Sequence, residues 1–404
     1  LSLVIGIPAE GMPRLVWLGP TEDAPAHTLP QAPVRPASPD VPVTPDLFPQ
    51  HGRGYAGTPT LRGHAAGRPW ETDLQVTHAA ATDSTITVTA ADSISGLQVT
   101  LRWSLGAAGV LSCQTTLTNT GATPYHLDRL AAVCLPLPEW VTGVRFFRGF
   151  WADEGHTEDV PLPTGTLRRT ARSGRPGFDW SQWMLLRGDA LTESTGRVIG
   201  LSVAWSGNHE VIVERDALGQ AQVQAGGWLA PGEVTLQPGA SHTTPDVLVA
   251  VSHTGLSGLR DRFHRATRAL RPPVPRPVHL NTWEGVYFDV SAAAVVEMAE
   301  AAAALGVERF ILDDGWFVGR RDDTTSLGDW TPDPDRFPGG LDPVIREIHR
   351  LGMRFGLWVE PEMVSPDSAL HRAHPGWCLH VPDRSRPTGC LLYTSPSPRD
   401  GTKS

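Results

Sequence analysis

Residues 306–317 read GVERFILDDGWF, and no other stretch limits the possible folds as tightly. Phe310, Ile311 and Leu312 form an apolar run, led by Glu308 and Arg309 and closed by Asp313, Asp314 and Gly315. A short unbroken apolar run with polar flanks is the pattern of a strand buried on both faces, as in a parallel sheet. This one delivers carboxylates at its C-terminal end. Side chains alternate along an extended backbone, so Asp313 and Asp314 cannot both enter one pocket from a regular strand. Gly315 lets the chain turn directly after them and bring both toward a ligand. The plainer reading of the same pair is a solvated loop start, or a cap for the next helix.

The surrounding chain repeats that design. PVHLNTW (277–283) reads as a strand, SAAAVVEMAEAAAALG (291–306) as a helix with Ser291 as N-cap, and ERFILDD as the next strand. GGLDPVIREIHRLGM (339–353) reads as a helix, RFGLWVEPEM (354–363) as a third strand and SPDSALHRAHP (365–375) as a short helix. Alternating strands and helices predict a parallel sheet, and three such units make under half of an eight-stranded barrel. Each strand ends in aromatic or acidic groups: Trp283 and Glu284, then Asp313 and Asp314, then Trp358 with Glu360 and Glu362. Stacking surfaces and hydrogen-bond acceptors gathered at one mouth suit a neutral polyol.

Upstream the texture is different. Residues 1–45 mix short apolar runs with prolines. Across 56–250, alternating segments such as STITVTA (84–90), GLQVTLRWSL (96–105), VLSCQTTLTN (110–119), GRVIGLSVAWS (196–206) and EVIVERD (210–216) are separated by Gly, Pro, Asn and Asp. This is the signature of antiparallel strands in a large sandwich, with no helix. GLSGLRDRFHRATRALR then carries Leu256, Leu259, Phe263, Ala266 and Leu270 on one helical face, and the Pro-rich RPPVPRP (271–277) ends it. The expected order is a sandwich over 1–255, a connector over 256–276 and the start of a barrel over 277–389. From Cys390 the sequence CLLYTSPSPRDGTKS loses all periodicity, so 390–404 reads as a foreign tail, the translation of an adapter joined after Gly389.

Composition excludes several classes. A net charge of −9 with no Arg-rich tract argues against nucleic acid. No apolar run reaches the roughly 18 residues of a membrane span. The start, LSLVIGI, is too short and lacks the basic flank of a signal peptide, and it has no Met, so the chain is expected to begin inside a longer protein. Four widely spaced cysteines form neither a zinc site nor a disulfide framework, which points to a reduced, cytoplasmic protein without metal or cofactor. Trp at 14 outnumbers Phe at 11 and Tyr at 4, and the only lysine is Lys403. Indole-rich surfaces suit sugars, although GC-rich coding DNA accounts for the same bias and carries more weight.

The motifs NTWEGVYFD (281–289), GVERFILDDGWF, LGDW (327–330), RFPGGL (336–341), GMRFGLWVEPEMVSP (352–366) and HPGWCLHVP (374–382) resemble the bacterial α-galactosidases of glycoside hydrolase family 36. WSGNHEVIVE (205–214), QAGGWLAPGEVTLQPGASHTTPDVLVAVS (224–252) and FRGFWADE (147–154) are similar to that family's N-terminal domain. The resemblance implies an N-terminal β-supersandwich followed by an incomplete (β/α)8 TIM barrel. It implies that Asp313 and Asp314 accept hydrogen bonds from the galactose O4 and O6 hydroxyls, with Trp283 and Trp358 lining the subsite. It also implies an α-galactoside oligosaccharide as substrate and a homo-tetramer. Trp330 and Trp377 are read as packing, Glu360 and Glu362 as pins for the loop after the third strand, and His371 and His374 as surface.

One departure limits the inference. The family works by double displacement, with its nucleophile in a Lys-Trp-Asp motif on the next barrel strand and its acid/base farther on. No Lys precedes residue 403, so this chain holds no such motif, and Cys390 stands where the family carries an Arg. Asp313 and Asp314 are not promoted in their place, because neighbours on one strand end cannot flank a glycosidic bond. The expectation is therefore a fragment, catalytically inactive as it stands, of a retaining α-galactosidase acting on melibiose- or raffinose-type sugars. A galactosyltransferase of the same family and a non-catalytic galactoside-binding remnant are the rival readings.

Overall fold

The computed structural model describes residues 1–384 apart from 22–28, 30–42, 44, 69–70, 272, 379–380 and 382. The tail expected at 390–404 lies outside the described residues. The chain divides into two compact units, Leu1–Pro272 and Pro273–Ser404.

The first unit is built on antiparallel strands. One ten-stranded sheet runs from Asp153–Pro161 at one edge through Gly143–Phe150, Trp183–Arg187, Val198–Val203, Val247–Ser252 and Leu111–Asn119 to Leu97–Leu105, Thr85–Asp92 and Gln75–Ala81, with the short strand Ser241–Thr243 paired to Leu111–Asn119 beside this path. A four-stranded sheet orders Gly165–Ala171, His209–Arg215, Ala221–Gly227 and Val133–Leu137. The alternation in VLSCQTTLTN is realised residue by residue: Leu111, Cys113, Thr115, Leu117 and Asn119 are buried and the residues between them are not. Leu97, Val99, Leu101 and Trp103 do the same on the neighbouring strand, in register with Leu117 opposite Val99. Side chains from this sheet and from Val211, Val213 and Val223 of the four-stranded sheet share one core, which makes the unit a sandwich.

Among the described residues, 56–250 contain no α-helix, as the turn punctuation predicts. The helix Gly255–Ala269 is not a free connector, however. Leu259 and Phe263 pack with Leu185, Val198 and Ala250 on the outer face of the large sheet. Val198–Val203 is consequently buried along its whole length, covered by the core on one side and the helix on the other. Gly200 permits the contact, since a Cβ there would lie 2.7 Å from a Leu259 methyl. The amphipathic stripe that marked a connector is thus the stripe that docks the helix, and the first unit extends to Pro272.

The second unit holds a parallel sheet in the order His279–Asn281, Arg309–Leu312, Arg354–Leu357, as the βα pattern predicts. Ala292–Ala304 and Asp342–Arg350 are the intervening helices. Ser291 caps the first of them by accepting from Ala294 N–H at 3.3 Å, an arrangement that stabilises a helix by about 1 kcal/mol. Val295, Ala299 and Ala302 from one helix and Val344 and Ile348 from the other close over Phe310 and Leu312.

All three strands are shorter than their apolar runs suggest. Asn281 Oδ1 accepts Trp283 N–H at 2.7 Å, which bends the chain into a one-turn helix, Trp283–Val286, instead of continuing the strand. The third strand ends at Leu357, ahead of Pro361, and Val359 stands half-exposed in a loop. The last helix shrinks to Ala369–Ala373, followed by a single 3-10 turn at Pro375–Trp377.

Candidate functional site at the ends of the parallel strands

Parallel register places the three strand ends side by side, with Asn281 opposite Ile311 and Leu312 opposite Leu357. Backbone bonds continue just past them, from Thr282 N–H to Ile311 O at 3.0 Å and from Trp358 N–H to Leu312 O at 2.9 Å. Asp313 N–H is taken by the buried Thr282 hydroxyl at 3.0 Å. Trp283, the Asp313–Asp314 pair and Trp358 therefore all emerge from the same end of one sheet. Gly315, with φ at +90°, turns the chain at once, and Arg336 Nη1 donates to its carbonyl at 2.5 Å. A Cβ on Gly315 would sit 3.2–3.3 Å from Arg336, Phe288 and Val290, so the dihedral calls for glycine and the space around it is tight.

The two carboxylates are buried and unequal. Asp313 is 8% exposed; its Oδ1 accepts Asp314 N–H at 2.8 Å and its Oδ2 accepts Asn281 Nδ2 at 2.5 Å. An ionised carboxylate has about four acceptor positions, so about two of those on Asp313 stay open. Asp314 Oδ1 accepts Gly315 N–H at 2.7 Å and Arg320 Nε at 3.0 Å, and its Oδ2 lies 3.1 Å from Nε and 2.7 Å from Nη2. Three N–H donors, from Gly315 and from Arg320 Nε and Nη2, take up most of the acceptor positions on Asp314. Arg320 is as buried as its partner and spends its Nη1 on Thr325 O at 2.7 Å. Burial pushes the Asp314 carboxyl above the ordinary carboxylate range, and the Arg320 guanidinium opposes that push.

Aromatic rings surround the strand ends. Trp283 is half-buried, with Tyr287 and Phe288 edge-on at 5.1 and 5.0 Å. Trp358, also half-buried, meets Trp330 at 6.1 Å, and Trp330 packs on Trp316 and Phe317, so Trp330 is a packing residue as expected. Trp377 is not: it is 70% exposed and stacks on His374 at 4.0 Å, because the chain around it forms only a short surface turn. His371 Nδ1 is bonded to Pro366 O at 2.9 Å, and no cluster of three His, Cys, Asp or Glu residues among the described residues fits a metal. LGDW acts as a clasp, with Asp329 accepting from Ala369 and Leu370 N–H and Leu327 N–H donating to Ser365. Sequence reasoning missed Asn281, Arg320 and Arg336 as the groups that hold the pair. A weak signal for Arg320 existed, in the paired arginines of GRRDD directly after DDGWFV.

Two family models cover nearly the whole chain: the glycosyl hydrolase family 36 N-terminal domain over residues 11–237 and Melibiase over residues 241–393. The chain belongs to glycoside hydrolase family 36. It is 38% identical to an α-galactosidase of Escherichia coli, over 88% of this chain and 50% of that protein. It is 36% identical to α-galactosidase AgaA of Geobacillus stearothermophilus, over 85% of this chain and 47% of that one. Among solved structures, a double variant of the same AgaA in complex with stachyose superposes with a TM-score of 0.87 at 30% identity, covering 96% of this chain and 60% of that one. A further AgaA variant, in complex with raffinose, gives 0.86 at the same identity and coverage. This family 36 chain spans about half the length of the curated relatives it matches. Its architecture is the family's, an N-terminal supersandwich followed by part of a (β/α)8 barrel. No helix among the described residues is long and apolar enough to cross a membrane.

Proposed function

We propose that the chain supplies the sandwich and the sugar-recognising part of the barrel of a retaining, exo-acting α-galactosidase. Its substrates are terminal α-galactosyl residues of melibiose- and raffinose-type oligosaccharides. The observation that carries this reading is Asp313, a buried carboxylate with about two open acceptor positions at a strand end. Trp283 and Trp358 follow the two neighbouring strands and offer stacking faces for a pyranose. An axial O4 hydroxyl reaching Asp313 selects galactose, because glucose would leave that acceptor unpaired, at a cost of about 1–3 kcal/mol. Asp314, most of whose positions are taken by Arg320 and Gly315, acts chiefly by holding Asp313 and the turn, although the family resemblance assigns it a galactose hydroxyl as well. The relatives' names and the sugars bound in the neighbouring structures support the same substrate class.

Retaining hydrolysis needs a nucleophile and an acid/base about 5 Å apart. Neither is among the residues here that match the family motifs, so catalysis is assigned to the longer parent protein. The source DNA should read through codon 389 into an Arg and then a Lys-Trp-Asp strand. The product of that frame should release p-nitrophenol from the α-galactoside and not from the α-glucoside. For the chain itself, a ligand-observed NMR titration should favour methyl α-galactoside over methyl α-glucoside by tenfold or more. Equal affinity for the two would overturn the assignment. A homo-tetrameric parent, implied by the resemblance, is tested by light scattering on the full-length protein.

A further inference from the structure

The first unit carries a second cleft that the proposed reaction does not use. It has a volume of about 590 Å³ and lies beside the strands His209–Arg215, Ala221–Gly227 and Leu111–Asn119. That volume falls within the usual range for small-ligand sites, about 300–1,000 Å³. Two indoles line it: Trp205, 48% exposed, and the half-buried Trp228. A Cβ on Gly207 would lie 2.3 Å from Trp205 Nε1, so the glycine is what lets the indole lie across the backbone. Arg172 sits over Trp228 at 5.6 Å and helps to hold that ring.

Polar groups converge on the same space. Asn208 is fixed by accepting Gly174 N–H through Oδ1 at 2.8 Å, and its Nδ2 has no partner among the described residues. Gln114 faces the cleft with its whole amide unpaired among those residues, and neither indole N–H meets an acceptor there. His242 is half-buried, and burial pushes its imidazole below the usual range against the opposing pull of Glu233, a net shift that favours the neutral form. The lining holds one carboxylate, Glu233, and no lysine or arginine.

We propose that this cleft binds a neutral oligosaccharide of two or three rings, apart from the galactose subsite at Asp313. Flat indoles cover the C–H faces of pyranose rings, while amides and a neutral imidazole exchange hydrogen bonds with hydroxyls in either direction. The lining itself offers an anionic ligand no lysine or arginine and one carboxylate, Glu233, that repels it, while Arg172 is engaged over the Trp228 ring. Such a site would hold polymeric or clustered substrate near the enzyme without taking part in the chemistry.

The experiment uses the full chain carrying Asp313→Ala, which removes the galactose subsite. Raffinose and maltotriose are the probes, titrated separately with ligand-observed NMR as the readout. At least one should bind saturably in the millimolar range, and adding Trp205→Ala should weaken that binding tenfold or more. Gln114→Ala, a change at a half-buried strand position, should weaken it less, and both variants should keep the thermal transition of their parent. Binding that survives both changes unaltered overturns the proposal, and so does an Asp313→Ala chain that binds neither sugar. Trp205→Ala with Asp313 intact reports on the galactose subsite alone, so failure of one reading is distinguishable from failure of the other.

Discussion

Replacing Arg320 with Met strips a buried carboxylate of its counter-charge. Arg320 reaches Asp314 through three contacts of 2.7–3.1 Å, and side-chain exposure is 3% for the arginine and 6% for the aspartate. Removing one partner of such a pair costs about 3–5 kcal/mol. The carboxyl has a second route, which is to take up a proton. At pH 7 that means protonating roughly three units above its ordinary value, at about 1.4 kcal/mol per unit, or about 4 kcal/mol; at pH 5 it is about 1.5 kcal/mol. The cheaper route sets the loss, so Arg320→Met should destabilise the strand end by about 3–4 kcal/mol at pH 7 and by about 1–2 kcal/mol at pH 5. The sign follows from linkage: a carboxyl raised in the folded state leaves the native chain binding more protons than the unfolded one, so stability falls as pH climbs from the acid range to neutrality. The unaltered chain should show the same direction more weakly, since burial already raises Asp314 against Arg320. Combining Arg320→Met with Asp314→Leu should recover most of the loss, because removing both partners leaves no orphaned charge. Hydrogen exchange on peptides spanning residues 306–321 reads the local opening free energy without requiring both units to unfold together. A penalty equal at pH 5 and pH 7, or below about 1 kcal/mol at pH 7, would refute the reasoning.

Asp313→Asn turns an amide nitrogen toward either Asn281 Nδ2 or Asp314 N–H, the donors that the two carboxylate oxygens now accept, so methyl α-galactoside binding should fall at least tenfold in an NMR titration and the thermal transition should fall with it. Gly315→Ala places a Cβ at φ +90° against Arg336 and Phe288, and should cost about 1–3 kcal/mol in the same exchange assay. In the sandwich, burial raises Asp46 to about 7 although its carboxyl accepts Phe48 N–H at 2.8 Å. Its penalty develops between the ordinary carboxylate range and about pH 7 and is constant above that, so urea unfolding of the chain should weaken across this window and Asp46→Asn should flatten the slope.

The sequence by itself determined which segments are strands and helices and in what order they come. Alternation in Leu111–Asn119, the apolar run at Phe310–Leu312 and the Ser291 cap act within one element, and their signals lie within a few residues. It also brought Trp283, Asp313, Asp314 and Trp358 to one end of one sheet, since parallel pairing follows from the βα order. The tertiary structure alone decided where each element stops and what each side chain does. The Gly255–Ala269 helix has the stripe of a connector, yet it docks on the large sheet because Gly200 leaves room for Leu259. Trp330 and Trp377 are the same residue type on similar loops, but Trp330 packs among the rings of Trp316 and Phe317 while Trp377 stacks on the His374 ring at the surface. Asp313 and Asp314 are chemically identical neighbours, and what separates them is Arg320, folded back from six residues on to bond both oxygens of one and neither of the other. Occupancy of lone pairs depends on contacts between segments, and no local pattern of residues encodes it.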